Sequence, residues 1–328
     1  MKYNRIVLKR TSKRDAGGFL LFVFLLPYVC ASLWGHVGKE TEKLRQTSIV
    51  RLEGESAEHK ILVSMDWGVW EIPMEEYLVY KLSTVMPKTY EKEALKAQAV
   101  LLRTELVQAL KEQEDQELLL SGDGQNRWYE LDISMEEFEI WRQAVEETDG
   151  LYLSYEGEAI QASYFQISNG QTRDASEVWD TDQRPYLRSV SCMQDKAARN
   201  YGSTVSVSRA DYICALQEKL QSGFSEVEIW EGASFTYDTA GYVTAVSFTA
   251  QDKEPEQIDG ESFRYLFDLP SASFEMKKEE RQMIFRVTGV GHGFGMSQYG
   301  ANCMALNGET YDQILQKFFY RTELTKFE

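Results

Sequence analysis

The stretch G-V-G-H-G-F-G-M-S-Q-Y-G, residues 289–300, places a glycine at every second position before it ends in Met-Ser-Gln and Tyr-Gly. Glycine has no Cβ, so such a run can adopt positive φ angles and can let another backbone or a flat ligand approach closely. The strand pattern M-I-F-R-V-T leads almost directly into it. We therefore predict a turn-rich segment after a strand, which either packs tightly against a second segment or forms the floor of a groove.

Two other uses of glycine-rich loops are disfavoured. No window of residues 289–300 satisfies G-x-G-x-x-G, and no G-K-[ST] follows, so a phosphate loop is not expected. The chain has three histidines, and the two besides His292 are His36 and His59, in a polar stretch near the N-terminus. A zinc site with three histidine ligands is therefore implausible, and we predict neither a metal nor another cofactor.

The polar residues of the stretch favour a ligand with many hydroxyl groups. His292, Ser297 and Gln298 are neutral side chains that can offer both donors and acceptors, which is what a sugar requires. They are the predicted contacts if the stretch forms a groove. The neighbouring residues that complete the predicted surface are Gly293, Gly295 and Met296. If the stretch is instead a packed crossing, a backbone carbonyl is expected to satisfy His292.

The N-terminus combines a basic segment with an apolar one. Residues 1–16 carry a net charge of about +5, and residues 17–35 contain no charged side chain. That length is near the lower limit for crossing a bilayer. Two alternatives stay open, an anchor with its basic end in the cytoplasm or a cleaved signal peptide. Both place the rest of the chain outside the cytoplasmic membrane, behind a polar linker at residues 36–60.

Charge and cysteine content limit the partners and the covalent framework. The formal net charge is −17, or about −22 without the basic segment, and so acidic a surface repels nucleic acid. Beyond the apolar segment the cysteines are Cys192, Cys214 and Cys303, with no C-x-x-C pair. They make neither a disulfide framework nor a zinc cage. Either three buried thiols, or one disulfide and one free thiol, are expected.

Helix and hairpin patterns alternate along residues 61–328 without βαβ regularity, which indicates an α+β fold. Thr89 is the predicted N-cap of an alanine-rich helix that must be buried on most of its circumference. Capping boxes begin at Ser134 and Thr310, and Glu156-Gly157 marks the turn of a hairpin. We predict one large compact ectodomain over residues 61–328, behind the membrane segment.

The pattern G-x-G-H-G-x-G-M-S-Q-x-G-A at residues 289–301 resembles the signature of the stage II sporulation protein D family, which includes amidase-enhancer proteins. Other stretches are similar to family motifs and occur in family order. They are M-E-E-Y-L with M-P-K-T-Y-E-K-E-A-L-K-A-Q-A-V-L-L-R-T, then S-N-G-Q-T with V-W and R-P-Y-L-R-S-V, then F-R-Y-L-F-D-L-P-S-A-S-F. The resemblance covers roughly residues 60 to 320. It adds Ser168, Asn169 and Gly170 to the expected substrate-binding residues.

The resemblance implies a single-pass protein of the cytoplasmic membrane that faces peptidoglycan and acts in sporulation, during engulfment of the forespore. Members of the family act as lytic transglycosylases on glycan strands already stripped of peptides. That reaction needs one carboxylic acid, which protonates the leaving sugar and then acts as base. The muramyl 6-hydroxyl closes on its own anomeric carbon, so water is not the nucleophile. The implied partners are glycan strands and the membrane.

Two positions depart from the family pattern. The family places its catalytic glutamate directly before Met-Pro, and that position is Val85 here, which cannot transfer a proton. Glu75, Glu91 and Glu93 are poor substitutes, because of their direction from Val85 on a helix or their place in the first turn of the next one. Some relatives bind zinc around the stretch corresponding to residues 164–172, which here contains neither Cys nor His.

Three functions therefore compete. The first is a module that binds denuded glycan while its catalysis is impaired, which Val85 favours. The second is an active lytic transglycosylase that uses another acid. The third is a membrane-anchored scaffold for other wall hydrolases, which the retained glycine signature disfavours because a scaffold has little use for a polar groove.

Overall fold

The computed structural model of this protein describes eight stretches of the chain. They are residues 50–51, 59–65, 68–112, 119–120, 134–179, 183–221, 223–251 and 253–327. These residues form two compact units, the first within residues 1–88 and 109–146 and the second within 89–108 and 147–328. The expectation of a single ectodomain over residues 61–328 stays a prediction.

The described residues confirm the α+β class. The helices are α1 Met74–Val85, α2 Lys92–Glu112, α3 Met135–Glu146, α4 Arg209–Gln217, α5 Glu226–Glu231, α6 Gly260–Leu266, α7 Gln298–Leu306 and α8 Tyr311–Phe318. The strands are β1 Val50–Arg51, β2 Lys60–Met65, β3 Gly68–Pro73, β4 Leu119–Leu120, β5 Leu151–Tyr155, β6 Glu158–Ala159, β7 Tyr164–Phe165, β8 Gly202–Ser208, β9 Ala233–Tyr237, β10 Val243–Phe248, β11 Glu256–Asp259, β12 Phe274–Lys278, β13 Gln282–Thr288, β14 Met296–Ser297 and β15 Glu323–Lys326.

None of these helices is long and apolar enough to cross a membrane. The predicted basic segment, the predicted membrane segment at residues 17–35 and nearly all of the predicted linker lie outside the described residues.

The first unit joins a small sheet, in the order β1-β3-β2-β4, to helices α1 and α3. Helix α1 ends before Met86, whose extended backbone suits a residue that precedes proline. The indole of Trp141 on α3 donates to the Met86 carbonyl at 3.1 Å. The predicted capping box of α3 is confirmed, since Ser134 and Glu137 each bond the other's backbone N–H.

In the second unit α2 is buried over its first half, as its alanine-rich pattern predicts. Arg103 on this helix is completely buried, and its guanidinium donates to the Leu151 carbonyl at 2.9 Å. The Thr104 hydroxyl accepts from the Leu153 N–H at 2.9 Å. These bonds tie α2 to β5, the central strand of the sheet β15-β5-β6.

Residues 202–288 form a lobe of the second unit with a hydrophobic core of its own. The chain enters the lobe along β8 and leaves it along β13, and these strands pair from Gly202↔Thr288 to Ser208↔Gln282. Two three-stranded antiparallel sheets, β12-β13-β8 and β11-β10-β9, enclose the core. The lobe therefore returns the chain to the point where it left, and the glycine stretch follows immediately.

Candidate functional site

The four glycines between Gly289 and Gly295 all have positive φ angles, from 75° to 114°. A Cβ on Gly289 would lie 2.7 Å from the Ile167 carbonyl oxygen, and one on Gly291 would lie 2.6 Å from the Phe165 Cβ. A Cβ on Gly295 would overlap the Ser163 carbonyl oxygen. The alternation of glycine therefore allows residues 289–295, the glycine loop, to pack directly on residues 163–169, as one of the two sequence alternatives predicts.

Backbone hydrogen bonds hold the glycine loop on that segment. Val290 and Ile167 exchange N–H···O bonds of 2.7 and 3.1 Å, and the Met296 N–H donates to the Ser163 carbonyl at 3.0 Å. Met296 and Ser297 then form β14, which pairs in parallel with β7. The crossing fixes the loop by its main chain and leaves its side chains to serve other contacts.

His292 is a half-buried side chain whose two nitrogens are both occupied. Its Nδ1 accepts from the Phe294 N–H at 3.1 Å, and the ring also hydrogen-bonds the Tyr164 backbone. Burial, helped by the positive charges of Arg264 and Arg173, lowers the pKa of His292 to about 4. The imidazole is therefore neutral at pH 7, with its proton assigned to Nε2.

The His292 ring belongs to a row of aromatic side chains, here called the aromatic row. Ring centroids are 5.7 Å apart for Phe165 and His292, 6.1 Å for His292 and Phe294, and 4.3 Å for Phe294 and Trp179. The two phenylalanines are buried, whereas His292 and Trp179 are partly exposed. The Arg184 guanidinium lies over the Trp179 ring at 4.5 Å.

A buried carboxyl group joins the glycine signature to the segment before it. The Ser297 hydroxyl donates to Asp195 Oδ2 at 2.6 Å, and the Ser168 N–H donates to the same oxygen at 2.7 Å. Asp195 is completely buried, and its Oδ1 has no hydrogen-bond partner among the described residues. Burial raises the pKa of Asp195 more than the bonds from Ser297 and Ser168 lower it.

Comparisons with known proteins show the family of this chain. Residues 67–155 match the family model described as "Stage II sporulation protein". The chain is 32% identical over 273 residues to stage II sporulation protein D of Bacillus subtilis (strain 168), which covers 79% of this chain and 76% of that protein. The chain belongs to the stage II sporulation protein D family. The family resemblance predicted from the sequence is thereby confirmed.

Two further relatives of this family member differ in how much of their length they share with it. Stage II sporulation protein D of Bacillus amyloliquefaciens is 29% identical over 280 residues, which cover 79% of this chain and 76% of that protein. The amidase enhancer of Bacillus subtilis (strain 168) is 27% identical over 294 residues, which cover 74% of this chain but 39% of that protein.

In this member of the stage II sporulation protein D family, most of the side chains predicted to contact substrate have partners inside the protein. Met296 and Ser297 are completely buried, and the nearly buried Gln298 donates to the Gln98 side chain at 3.1 Å. The Asn169 amide donates to the Ala240 carbonyl at 2.8 Å. These side chains are engaged inside the protein, and their role as direct contacts with a ligand stays a prediction.

The glycines beside them also pack closely. A Cβ on Gly170 would lie 2.7 Å from the Lys196 Cε, and one on Gly293 would lie 2.7 Å from the Tyr242 ring. Trp179 and Asp195 were not predicted from the sequence. Trp179 lies in the V-W pair of the family motif, which is the signal that could have found it, whereas Asp195, on the 3-10 turn Met193–Ala197, carries none.

The acids considered as replacements for the family glutamate lie in different settings. Val85 is the last residue of α1, and Glu75 lies in the first turn of that helix. Glu93 accepts from the Tyr311 N–H at 2.8 Å and pairs with Lys96 at 2.8 Å, so it stabilises the start of α8. Glu91 is exposed, and its backbone N–H donates to the Asn302 side chain at 2.7 Å.

The three cysteines of the described residues are free thiols, so the alternative with a disulfide is wrong. The alternative of three buried thiols is wrong as well, because Cys214 is exposed and Cys303 half-buried. Burial raises the pKa of the Cys192 thiol to about 12. Within the described part of the chain, no group of three or more His, Cys, Asp or Glu side chains is placed to hold a metal ion.

Proposed function

We propose that this protein binds glycan strands of the cell wall in sporulation, and that the aromatic row is its sugar platform. The observation that carries the proposal is the pairing of two partly exposed rings, Trp179 and His292, with buried rings that support them. Sugar rings present C–H faces that pack on aromatic rings, and their hydroxyl groups need neutral polar neighbours. Exposed Gln166 and Gln171 lie on the segment that runs beside the loop and supply such groups.

Valine at position 85, where the family has its catalytic glutamate, is the reason to expect binding without efficient cleavage. A side chain without a titratable group cannot protonate a leaving sugar, and loss of a general acid costs roughly 10²–10⁴-fold in rate. Glu93, the replacement with the best-defined partners, is held by Lys96 and by the N-terminus of α8. The groups that support the glycine loop are retained, so recognition is expected to survive where catalysis does not.

A sedimentation experiment tests binding. Purified protein beginning at residue 36 is mixed with peptidoglycan from which an amidase has removed the peptides. Trp179→Ala is expected to weaken binding about tenfold, because an aromatic stacking partner is lost. The matched control is Tyr237→Ala, which removes a half-exposed ring from β9 on the lobe. Unchanged binding in Trp179→Ala, or equal losses in both variants, contradicts the proposed platform.

The second candidate function, a lytic transglycosylase, is favoured by Asp195. This carboxyl group has a raised pKa, one of its oxygens has no hydrogen-bond partner in the described part of the chain, and it contacts two residues of the family motifs. Because it is completely buried, it could act as the acid only if the loop above it moves. Release of 1,6-anhydro-muramyl products by the wild type, abolished in Asp195→Asn, supports this alternative. Release that appears only in Val85→Glu supports impaired catalysis caused by the missing acid at position 85.

The proposal also includes the attachment of the protein to the membrane and its protein partners. Residues 17–35 are proposed to anchor the protein in the cytoplasmic membrane, with the ectodomain outside, or to be cleaved as a signal. Cell fractionation of the full chain, compared with a chain that begins at residue 36, distinguishes these cases. A protein that neither binds nor cleaves glycan, yet co-purifies with other wall hydrolases, supports the scaffold alternative.

A further inference from the structure

Arg173 lies against the Phe294 ring of the aromatic row and is 1% exposed. Its Nε donates to Asp238 Oδ2 at 2.6 Å, and the Asp238 side chain is also completely buried. The other Asp238 oxygen accepts from the Tyr242 N–H at 2.8 Å. Taking an ion pair out of water costs several kcal/mol and is often no more stabilising than apolar packing. Stability alone therefore does not account for this buried pair, and the contacts of Arg173 suggest another role.

Arg173 contacts three consecutive residues of the glycine loop. Its Nη1 donates to the His292 carbonyl at 3.4 Å, and its backbone N–H donates to the Gly293 carbonyl at 2.8 Å. Its guanidinium carbon lies 4.5 Å from the centre of the Phe294 ring. A Cβ on Gly293 would come within 2.9 Å of the Arg173 Cδ, so the absence of a side chain there allows the contact.

Both partly exposed rings of the aromatic row depend on Phe294. Its ring packs against Trp179, and its N–H is the donor that fixes Nδ1 of His292. We propose that Arg173 is the positioning residue of the sugar platform, because it sets the plane of Phe294 and the peptides on either side of Gly293. This inference rests on the proposed function, since it assigns a role within the same site.

The charged groups around His292 also favour the observed geometry of the glycine loop. Glu261 on α6 bridges Arg173 at 3.3 Å and Arg264 at 2.8 Å, and Asp238 neutralises the far side of Arg173. Two guanidinium groups near the imidazole favour its neutral form. Only a deprotonated Nδ1 can accept the Phe294 N–H, so the charged cluster and the loop geometry support each other.

The decisive variant removes both buried charges. Arg173→Met alone would leave Asp238 buried without a counter-ion, so the test uses Arg173→Met with Asp238→Asn. The matched control is Lys253→Met with Glu228→Gln, which removes a pair of the same 2.6 Å length elsewhere in the lobe. The readouts are side-chain ¹⁵N NMR of His292 and sedimentation with amidase-treated peptidoglycan.

The test variant is expected to lose the single Nε2–H tautomer of His292 and to bind glycan about tenfold more weakly. The control pair is expected to change neither readout. A folded test variant with the wild-type tautomer and wild-type binding overturns the inference. If the test variant does not fold, Arg173→Lys replaces it, because lysine keeps the charge beside Asp238 but cannot hold the Phe294 plane. Wild-type protein that does not bind glycan refutes the proposed function, while the NMR result still decides the role of Arg173.

Discussion

At the scale of single residues, the completely buried Asp195 and the half-buried His292 are polar groups whose pKa values are shifted by their surroundings. Asp195 accepts two bonds through Oδ2 alone, which link Ser168 to Ser297 across the second unit. His292 is neutral at pH 7 because partial burial and two nearby arginines lower its pKa. Each shifted pKa makes the stability of the protein depend on pH, and the dependence has opposite signs for the two residues.

Replacement of Asp195 is expected to separate its hydrogen bonds from its charge. Asp195→Ala leaves the Ser168 N–H and the Ser297 hydroxyl without their acceptor, and each loss costs about 1–3 kcal/mol. Asp195→Asn keeps one acceptor oxygen and is expected to stay within about 1 kcal/mol of the wild type at pH 7. Urea unfolding of both variants measures the difference, and equal losses would contradict the assigned bonds.

The pH dependence of these variants has a defined sign. The folded-state pKa of Asp195 is raised, so the stability that its protonated form contributes is present below the unfolded pKa and is lost as pH rises through the folded one. Asparagine does not titrate. The stability of Asp195→Asn relative to the wild type is therefore expected to increase with pH above about 4.

For His292 the dependence of stability on pH has the opposite sign, because its folded-state pKa is lowered. Between pH 6.5 and about 4 the unfolded chain binds a proton that the folded chain does not, so this histidine reduces stability as pH falls through that window. His292→Gln removes the titration while its amide oxygen can still accept the Phe294 N–H. Urea unfolding across this window is expected to show a smaller pH slope in the variant, and an unchanged slope would refute the assignment.

At the scale of elements, the glycine loop shows how two requirements coincide at one residue. Gly157 and Gly295 both have positive φ angles, of 85° and 75°. A Cβ on Gly157 would meet no atom within 4 Å, whereas one on Gly295 would overlap the Ser163 carbonyl oxygen. Backbone conformation is therefore the sole demand at the hairpin turn, while the loop adds close packing.

Alanine at these two positions is expected to separate the effects. Gly157→Ala should cost about 1–2 kcal/mol, the penalty of a left-handed conformation for a residue with a Cβ. Gly295→Ala should cost at least about 3 kcal/mol, because overpacking against Ser163 adds to that penalty. Denaturant unfolding of the pair provides the measurement, and similar losses would show that the loop relaxes away from residues 163–169.

Features encoded by near neighbours in the chain were predictable, and those encoded by distant partners were not. The turn at Glu156-Gly157 and the two capping boxes follow from residues within three positions of each other. The N-cap predicted at Thr89 is wrong, since α2 begins at Lys92 and the Glu91 N–H just before it is bonded to Asn302, 211 residues away.

The contacts that support the site from inside the protein join residues that are distant in the chain. Asp195 bonds a serine 102 residues away, and Arg173 pairs with an aspartate 65 residues away. No local pattern records either contact. The glycine spacing could therefore predict a close crossing, while the groups that hold its exposed rings became evident only from the folded chain.

At the scale of the whole molecule, the 202–288 lobe is the part with the most self-contained architecture. Its core is formed by residues of the lobe alone, including Tyr212, Phe263 and Phe285. Its first and last strands pair with each other, so its ends lie side by side. The lobe contacts the glycine loop directly, since the Gly291 N–H donates to the Pro270 carbonyl at 2.9 Å and Gly293 lies against the Tyr242 ring. It also reaches Arg173 through Asp238.

Residues 201–289 expressed alone are expected to fold cooperatively, with near-ultraviolet circular dichroism from the packed aromatic core. The isolated lobe should be less stable than in the full chain, since Asp238 loses Arg173. Phe263→Ala serves as the control and should abolish the transition, because removal of a buried phenylalanine costs about 3–5 kcal/mol. A non-cooperative melt of the unmodified lobe would show that its core depends on the rest of the unit.

The glycine loop also has a consequence for how such a protein can change over time. Every amino-acid replacement that a single nucleotide change can make in a glycine codon adds a side chain with a Cβ. At Gly289, Gly291, Gly293 and Gly295 that atom meets a neighbour at 2.7 Å or less. No conservative first step exists at these four codons, so the loop is expected to be inherited unaltered or lost together with its support.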